Sequence, residues 1–95
     1  MIDRIDFASE MEKKLDDFNG EILKFRIIAE VAEPDAQIVH YQIIEDLVEK
    51  ETAIKGNLAV FNESGAVDRS ELKSEIVHLQ QQLEDAIEAA RITIN

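Results

Sequence analysis

Residues 8–32 read ASEMEKKLDDFNGEILKFRIIAEVA, and this stretch decides the fold. Its apolar residues recur at steps that alternate between three and four positions, a period that fits a helix with one buried face and no strand. Large and small residues share this seam, so we expect partner helices to fill the space around it. The two heptad positions of the seam hold Ala8, Leu15, Ile22 and Ala29, and Met11, Phe18, Phe25 and Ala32.

Two further runs carry the same pattern, and local signals separate them. Pro34 suits the first turn of a helix but drives the residue before it away from helical geometry, which predicts a break there. Gly65 predicts the next stop, and Asp68 with Glu71 forms a capping box for a third helix. The predicted stripes hold Ile44, Leu47, Ile54, Leu58 and Phe61 in the second helix, and Leu72, Ile76, Leu79, Leu83, Ala86 and Ala90 in the third, with Ile87 and Ile94 at its margin.

These signals predict one all-α domain over residues 1–95, with helices at about 3–32, 34–62 and 68–94. Short connections make sequential helices antiparallel, so we expect an up-down-up three-helix bundle. The alternative is a long helix kinked at Pro34, giving a helical hairpin that associates as a dimer. The first helix could also start later than Asp3, because Ser9 and Glu12 have capping-box spacing. The run Gln80-Gln81-Gln82 is expected on an exposed face.

The composition excludes several classes of function. The 95 residues include 21 acidic and 10 basic side chains, for a net charge of −11 that would repel nucleic acids and anionic lipid surfaces. The chain contains no cysteine, which excludes disulfides and thiolate chemistry. We see no leader peptide and no apolar run long enough to span a membrane, so we expect a cytoplasmic location.

Several segments resemble a family of short, acidic bacterial coiled-coil proteins of uncharacterised function. Residues 14–22, KLDDFNGEI, are similar to its K-L-D-x-W-N-x-x-I opening, with Phe18 at the tryptophan position. Residues 44–47, IEDL, followed by Leu58, resemble its I-E-E-L segment. Residues 63–65 resemble its second turn, and its closing helix is matched by Leu72, Lys73, Leu83 and Ala86. The resemblance implies a helical hairpin or bundle from a bacterium, with no known enzyme activity and no site residues.

One Glu-x-x-His motif, Glu75 to His78, raises the question of a metal site. Di-metal carboxylate bundles use two such motifs and two further glutamates. The nearest second candidate, Gln37-x-x-His40, lacks the acid, and His78 is expected to face outward. We therefore predict no metal and no cofactor, and Glu75, His78 and His40 are the residues to examine.

Two polar residues, His40 and Glu51, fall on the apolar stripe of the second helix. A carboxylate at a seam position costs stability unless it is paired or reaches water. Folding about Pro34 places Glu51 level with Lys13 and Lys14, so a salt bridge is available. Glu51 could instead reach solvent at the margin of the seam, or specify register or partner. His40 could be a ligand or pH switch, or a bundle-end histidine with a partly wet ring.

The sequence shows no nucleophile motif and no glycine-rich phosphate loop, so we predict no enzyme activity. Several apolar residues lie off the best seams, which favours a structural or interaction module that binds a protein partner or itself. These residues are Ile27, Ile28, Val31, Val39, Ile43, Val60 and Val77. Wide stripes within a monomer would also explain them. The alternative functions are an amphipathic lipid-surface protein resembling exchangeable apolipoproteins, for which the acidic charge is unfavourable, and a carboxylate and histidine metal binder.

Overall fold

The computed structural model describes the backbone of residues 2–63 and 69–94 and the side chains of residues 7–63 and 69–94. These residues form three helices and no strand: α1 (Ile2–Glu30), α2 (Pro34–Glu63) and α3 (Arg69–Ile94). The prediction of an all-α three-helix bundle is confirmed. The stop predicted at Gly65 and the cap predicted at Asp68 lie outside the described residues.

The first helix ends before Pro34, and the chain does not continue through it as one kinked helix. The amides of Val31 and Ala32 bond to the carbonyls of Ile28 and Ala29, three residues back, at 3.3 and 3.2 Å. Such bonds tighten the last turn of a helix. Helix α1 therefore ends two residues before the predicted Ala32, because proline disfavours helical geometry in the residue that precedes it.

The later start of the first helix, at Ser9, is wrong, since α1 already runs from Ile2. Phe7 explains the difference. Its side chain is buried and packs edge-to-face on Phe61 of α2, with ring centroids 5.0 Å apart. This contact stabilises the turn of helix that precedes Ser9, and a cap there is not needed.

The core lies on the seam predicted from residues 8–32. The large seam residues of α1 are buried, as are all five of the α2 stripe, whereas Ala8 and Ala32 at the seam's ends are half-buried. Helix α2 packs along both neighbours, and α1 and α3 run parallel to each other with sparser contact. The bundle measures 50 × 18 × 17 Å.

The buried face of α3 is turned relative to the prediction. Ile87 and Ile94 lie in the core, whereas Leu79 and Ala86 are half-buried at its edge. A helix turned this way buries isoleucine in preference to alanine, which removes more apolar surface from water. The rotation of α3 also carries Gln80 inward, so the expectation that Gln80 is exposed is wrong: only 8% of this residue is accessible to solvent. Its amide donates a hydrogen bond to the Glu84 carboxylate at 2.9 Å.

Candidate functional site

The three candidate metal ligands do not come together. Glu75 and His78 are exposed near the start of α3, and the imidazole Nε2 of His78 lies 3.3 Å from the side-chain amide of Gln82. His40 lies near the start of α2, at the opposite end of the bundle. Within the described residues, no group of three or more histidine or carboxylate side chains is arranged to hold a metal ion.

His40 is less accessible to solvent than a bundle-end histidine with a partly wet ring would be. It is 9% exposed, and its Nδ1 has no hydrogen-bond partner among the described residues. Its position explains the burial, because His40 shares the inner stripe of α2 with Ile44 and Leu47. The structure therefore places a polar ring atom in the packed end of the bundle, with no second ligand beside it.

Glu51 does not form the predicted salt bridge. It is 5% exposed, and no ion pair joins it to Lys13 or Lys14, which lie on the exposed side of α1. Its Oε2 has no hydrogen-bond partner within the described part of the chain. The other carboxylate oxygen, Oε1, is not among the fully buried atoms, so contact with solvent at the margin of the seam is compatible with the structure. A role in register or partner choice is the other sequence-based alternative that the structure leaves.

Glu51 and Gln80 belong to the same level of the bundle. Glu63 ends α2 and Arg69 begins α3, and the two helices run in opposite directions from this connection. Glu51 lies twelve residues before the end of α2 and Gln80 eleven after the start of α3, which are similar distances of about 18 and 16 Å along the helix axes. Two buried polar side chains therefore lie at similar heights near the middle of the apolar core.

Exposed apolar side chains gather at one end of the bundle, where α1 ends, α2 begins and α3 ends. We call this region, residues 23–40 and 89–94, the apical end. It holds six of the eight large apolar side chains that the described residues leave exposed, with accessible fractions of 46–86%: Leu23, Ile27, Val31, Ile38, Val39 and Ile92. The sequence singled out only Ile27, Val31 and Val39 of these. The other three lie opposite the seams of their helices, a signal the sequence offered.

Two of the residues predicted to lie off the seams join the core instead. Ile28 and Ile43 are partly buried against it, whereas Val60 and Val77 are exposed away from the apical end. The idea of wide stripes within a monomer therefore explains Ile28 and Ile43 and leaves the apical residues unexplained.

The apical end is nearly neutral in a strongly acidic chain. It carries three basic and three acidic side chains: Lys24, Arg26 and Arg91, and Glu30, Glu33 and Asp35. The net charge of −11 therefore resides in the rest of the molecule. An apolar surface without net charge can approach a like surface without electrostatic repulsion.

A groove separates α1 from α3 on the side of the bundle away from α2. Its upper part encloses about 740 Å³ and has the edges of Phe18 and Ile87 as its floor. Six carboxylates and two basic side chains stand along its walls: Asp16, Asp17, Glu21, Glu84, Asp85 and Glu88, with Lys24 and Arg91. We call this feature the α1/α3 groove. The sequence did not reveal it, because it depends on how closely two non-sequential helices approach.

None of the helices in the described residues is long and apolar enough to cross a membrane. No family model, no curated protein and no solved structure matches this chain. The resemblance to short acidic bacterial coiled-coil proteins therefore stays a prediction, as does the cytoplasmic location.

Proposed function

We propose that this protein is a non-enzymatic helical interaction module that associates with a second copy of itself through the apical end. One observation carries the proposal: six of the eight exposed large apolar side chains in the described residues lie in this region. Scattered single apolar side chains are normal on protein surfaces, but a concentration of them marks an interaction site.

The apical end exposes a substantial area of apolar surface. Six aliphatic side chains that are 46–86% exposed present on the order of several hundred Å² in total, distributed over the outer sides of the three helices at this end. A stable interface of standard size buries roughly 800 Å² per partner. The apical side chains would supply most of the apolar centre of such an interface, and the surrounding charged residues would form its rim.

Charge favours a second copy at this end over any other part of the surface. Two copies that meet elsewhere bring like-charged acidic faces together, which costs free energy. At the apical end three bases, Lys24, Arg26 and Arg91, and three acids, Glu30, Glu33 and Asp35, give no net charge. Lys24 and Arg91 pair within the chain, so Arg26 is the base of one copy that can face the carboxylates of the other.

Sedimentation equilibrium over a range of concentrations tests the proposal. We expect a species heavier than the 10.8 kDa monomer. The triple variant Ile27→Gln/Ile38→Gln/Ile92→Gln changes exposed residues to a good helix former and should return the protein to a monomer. The control variant Val60→Gln/Val77→Gln changes exposed residues outside the apical end and should leave association intact. A wild-type protein that stays strictly monomeric contradicts the proposal.

The same apical residues support one alternative, attachment to a neutral lipid surface. Exposed Leu23, Ile27 and Ile92 could enter the boundary between headgroups and acyl chains, as the apolar faces of interfacial helices do. Liposome flotation separates the two functions. Flotation with neutral vesicles that the apical triple variant loses would favour lipid attachment, whereas absence of flotation with neutral and anionic vesicles removes it.

A further inference from the structure

The α1/α3 groove is an open side of the bundle. Helices α1 and α3 each pack closely on α2 but touch each other sparsely, and the ion pair of Arg91 with Glu21, at 3.4 Å, joins them near the upper end of the groove. The groove continues below the acidic part into a second hollow of about 420 Å³, lined by Phe7, Met11 and Val77. Together the two parts follow α1 from Phe7 to Lys24, about 25 Å of helix at 1.5 Å per residue. This length accommodates four to five turns of another helix, at roughly 5.4 Å per turn.

The upper part of the groove carries more negative than positive charge. Its two basic side chains are already engaged: Lys24 lies 3.6 Å from Glu21, and Arg91 lies 3.4 Å from the same carboxylate and also pairs with Glu88. Asp16 and Asp17 form no ion pair within the described residues. Six carboxylates against two bases leave this half of the groove with a surplus of negative charge facing solvent.

The lower part of the groove has the opposite character. Lys14 and Lys73 stand on its two walls, and the Lys73 ammonium lies 5.2 Å from the centre of the Phe7 ring. The groove is therefore polarised along its length, with six carboxylates and two bases above, and two lysines and one carboxylate, that of Glu10, below. An occupant that matches it has basic side chains toward one end.

We propose that the α1/α3 groove binds a basic amphipathic helix of a partner protein. The partner's apolar stripe lies over exposed Val77 and the narrow apolar strip at the bottom of the groove, where Met11, Phe18 and Ile87 are 2–7% exposed. Its lysine or arginine side chains face Asp16, Asp17, Glu84 and Asp85. A second copy of this chain is the wrong occupant, because 21 acids against 10 bases would bring like charge to the acidic walls. The proposal rests on the protein's being an interaction module and adds a second surface, which meets the apical end at Lys24 and Arg91.

A synthetic peptide of 18 residues is the probe, built from leucine at helical a and d positions, with lysine at the other positions of one half and glutamine at those of the other half. Two-dimensional NMR of the isotope-labelled protein, titrated with this peptide, gives both affinity and location. We expect saturable binding, with the largest shifts in amides around residues 16–24 and 81–91. A peptide with glutamate in place of lysine should not bind, and a scrambled lysine peptide without an apolar stripe should bind at least about tenfold more weakly. No saturable binding, or shifts centred outside the groove, overturns the proposal.

Matched charge variants separate a docking site from general attraction to an acidic protein. The variant Asp16→Asn/Asp17→Asn/Glu84→Gln/Asp85→Asn removes four charges from the groove. The control Glu45→Gln/Glu49→Gln/Glu63→Gln/Glu75→Gln removes four exposed charges outside both the groove and the apical end. We expect the groove variant to weaken peptide binding about tenfold or more and the control to change it less than about threefold. Equal losses of peptide affinity in the groove variant and the control variant overturn the proposal.

Failure of this inference is distinguishable from failure of apical self-association. The apical triple variant should keep its affinity for the peptide while it loses the dimer. The groove variant should keep the dimer while it loses the peptide. If the apical variant loses both the dimer and the peptide, the peptide binds at the apical end. That result overturns the groove proposal and leaves the self-association proposal standing.

Discussion

The side chain of Gln37 caps the end of α1 by bonding to Ala29 across the turn. Its Nε2 donates to the main-chain carbonyl oxygen of Ala29 at 2.9 Å and lies 3.1 Å from that of Glu30. The last carbonyls of a helix have no partner within the helix. Gln37, from the first turn of the next helix, supplies a donor to Glu30 and a second donor to Ala29, whose carbonyl also accepts from the amide of Ala32. These bonds join the residues before Pro34 to those after it.

Replacing Gln37 with alanine should therefore destabilise the protein. We expect a loss of about 1 kcal/mol in the free energy of unfolding, the usual net value of one hydrogen bond, measured by urea denaturation. Gln42→Ala is the control, because Gln42 is exposed on the same helix. Equal stability of the Gln37→Ala variant and the wild type would mean that water replaces the cap without cost.

The bundle could be predicted from the sequence because helical periodicity is a local property. Every large seam residue of α1 and α2 lies where its spacing predicts, and the break at Pro34 follows from proline geometry. The rotation of α3 could not be read in the same way, because its apolar residues fit two registers. Packing against α2 decides between Ala86 and Ile87, and Gln80 is buried as a consequence.

The surfaces were harder to predict, because they depend on which helices approach one another. The expected pair between Glu51 and Lys14 required the lysine to turn inward, and Lys14 instead lies on a wall of the groove. The gathering of Leu23, Ile38 and Ile92 at one end appears only when three helices are aligned. Residues distant in sequence cannot be assigned to one patch by spacing alone.

Replacing Glu51 with leucine should stabilise the protein. A buried carboxylate oxygen without a partner loses hydration and gains no hydrogen bond in return, and apolar replacement of such groups is often stabilising. We expect about 1–3 kcal/mol, which in a domain of this size corresponds to about 4–8 °C in Tm for each kcal/mol. Glu49→Leu, at an exposed position of the same helix, should change stability by less than about 0.5 kcal/mol.

A clear fall in the Tm of the Glu51→Leu variant would contradict this expectation and would mean that the charge has a needed partner. The variant Glu51→Gln then separates charge from hydrogen bonding. If the residue serves partner or register choice, the leucine variant should also form additional oligomers in sedimentation.

Phe7 and Phe61 should be energetically coupled. Their rings meet edge-to-face, an arrangement worth about 0.5–1.5 kcal/mol beyond the area that it buries. A double-mutant cycle with Phe7→Leu and Phe61→Leu should therefore return a coupling energy in that range. Phe7 and Phe18 lie about 16 Å apart along α1, so their leucine variants should add within roughly 0.5 kcal/mol. Additivity in the Phe7 and Phe61 cycle would contradict a specific ring contact.

Salt should act in opposite directions on the two proposed interactions. Added salt screens the repulsion between two chains of net charge −11, so apical self-association should strengthen between low and moderate ionic strength. Binding of the lysine peptide depends on attraction to the carboxylates of the α1/α3 groove and should weaken over the same range. Sedimentation and peptide titration in the same buffers measure both. A common direction of change would show that one of the two surfaces is assigned wrongly.

Gly20 and Gly56 are sites where alanine should stabilise the protein. Both lie inside helices with ordinary backbone geometry, and a Cβ atom built on either meets no heavy atom within 4 Å. Alanine restricts the unfolded chain and favours helix by about 1 kcal/mol relative to glycine. We expect each variant to gain about 0.5–1 kcal/mol in urea denaturation, and the reverse change at exposed Ala59 to lose a similar amount. Because Gly20 also lines the α1/α3 groove, a Gly20→Ala variant that gains stability but binds the peptide more weakly would place the partner helix directly over this position.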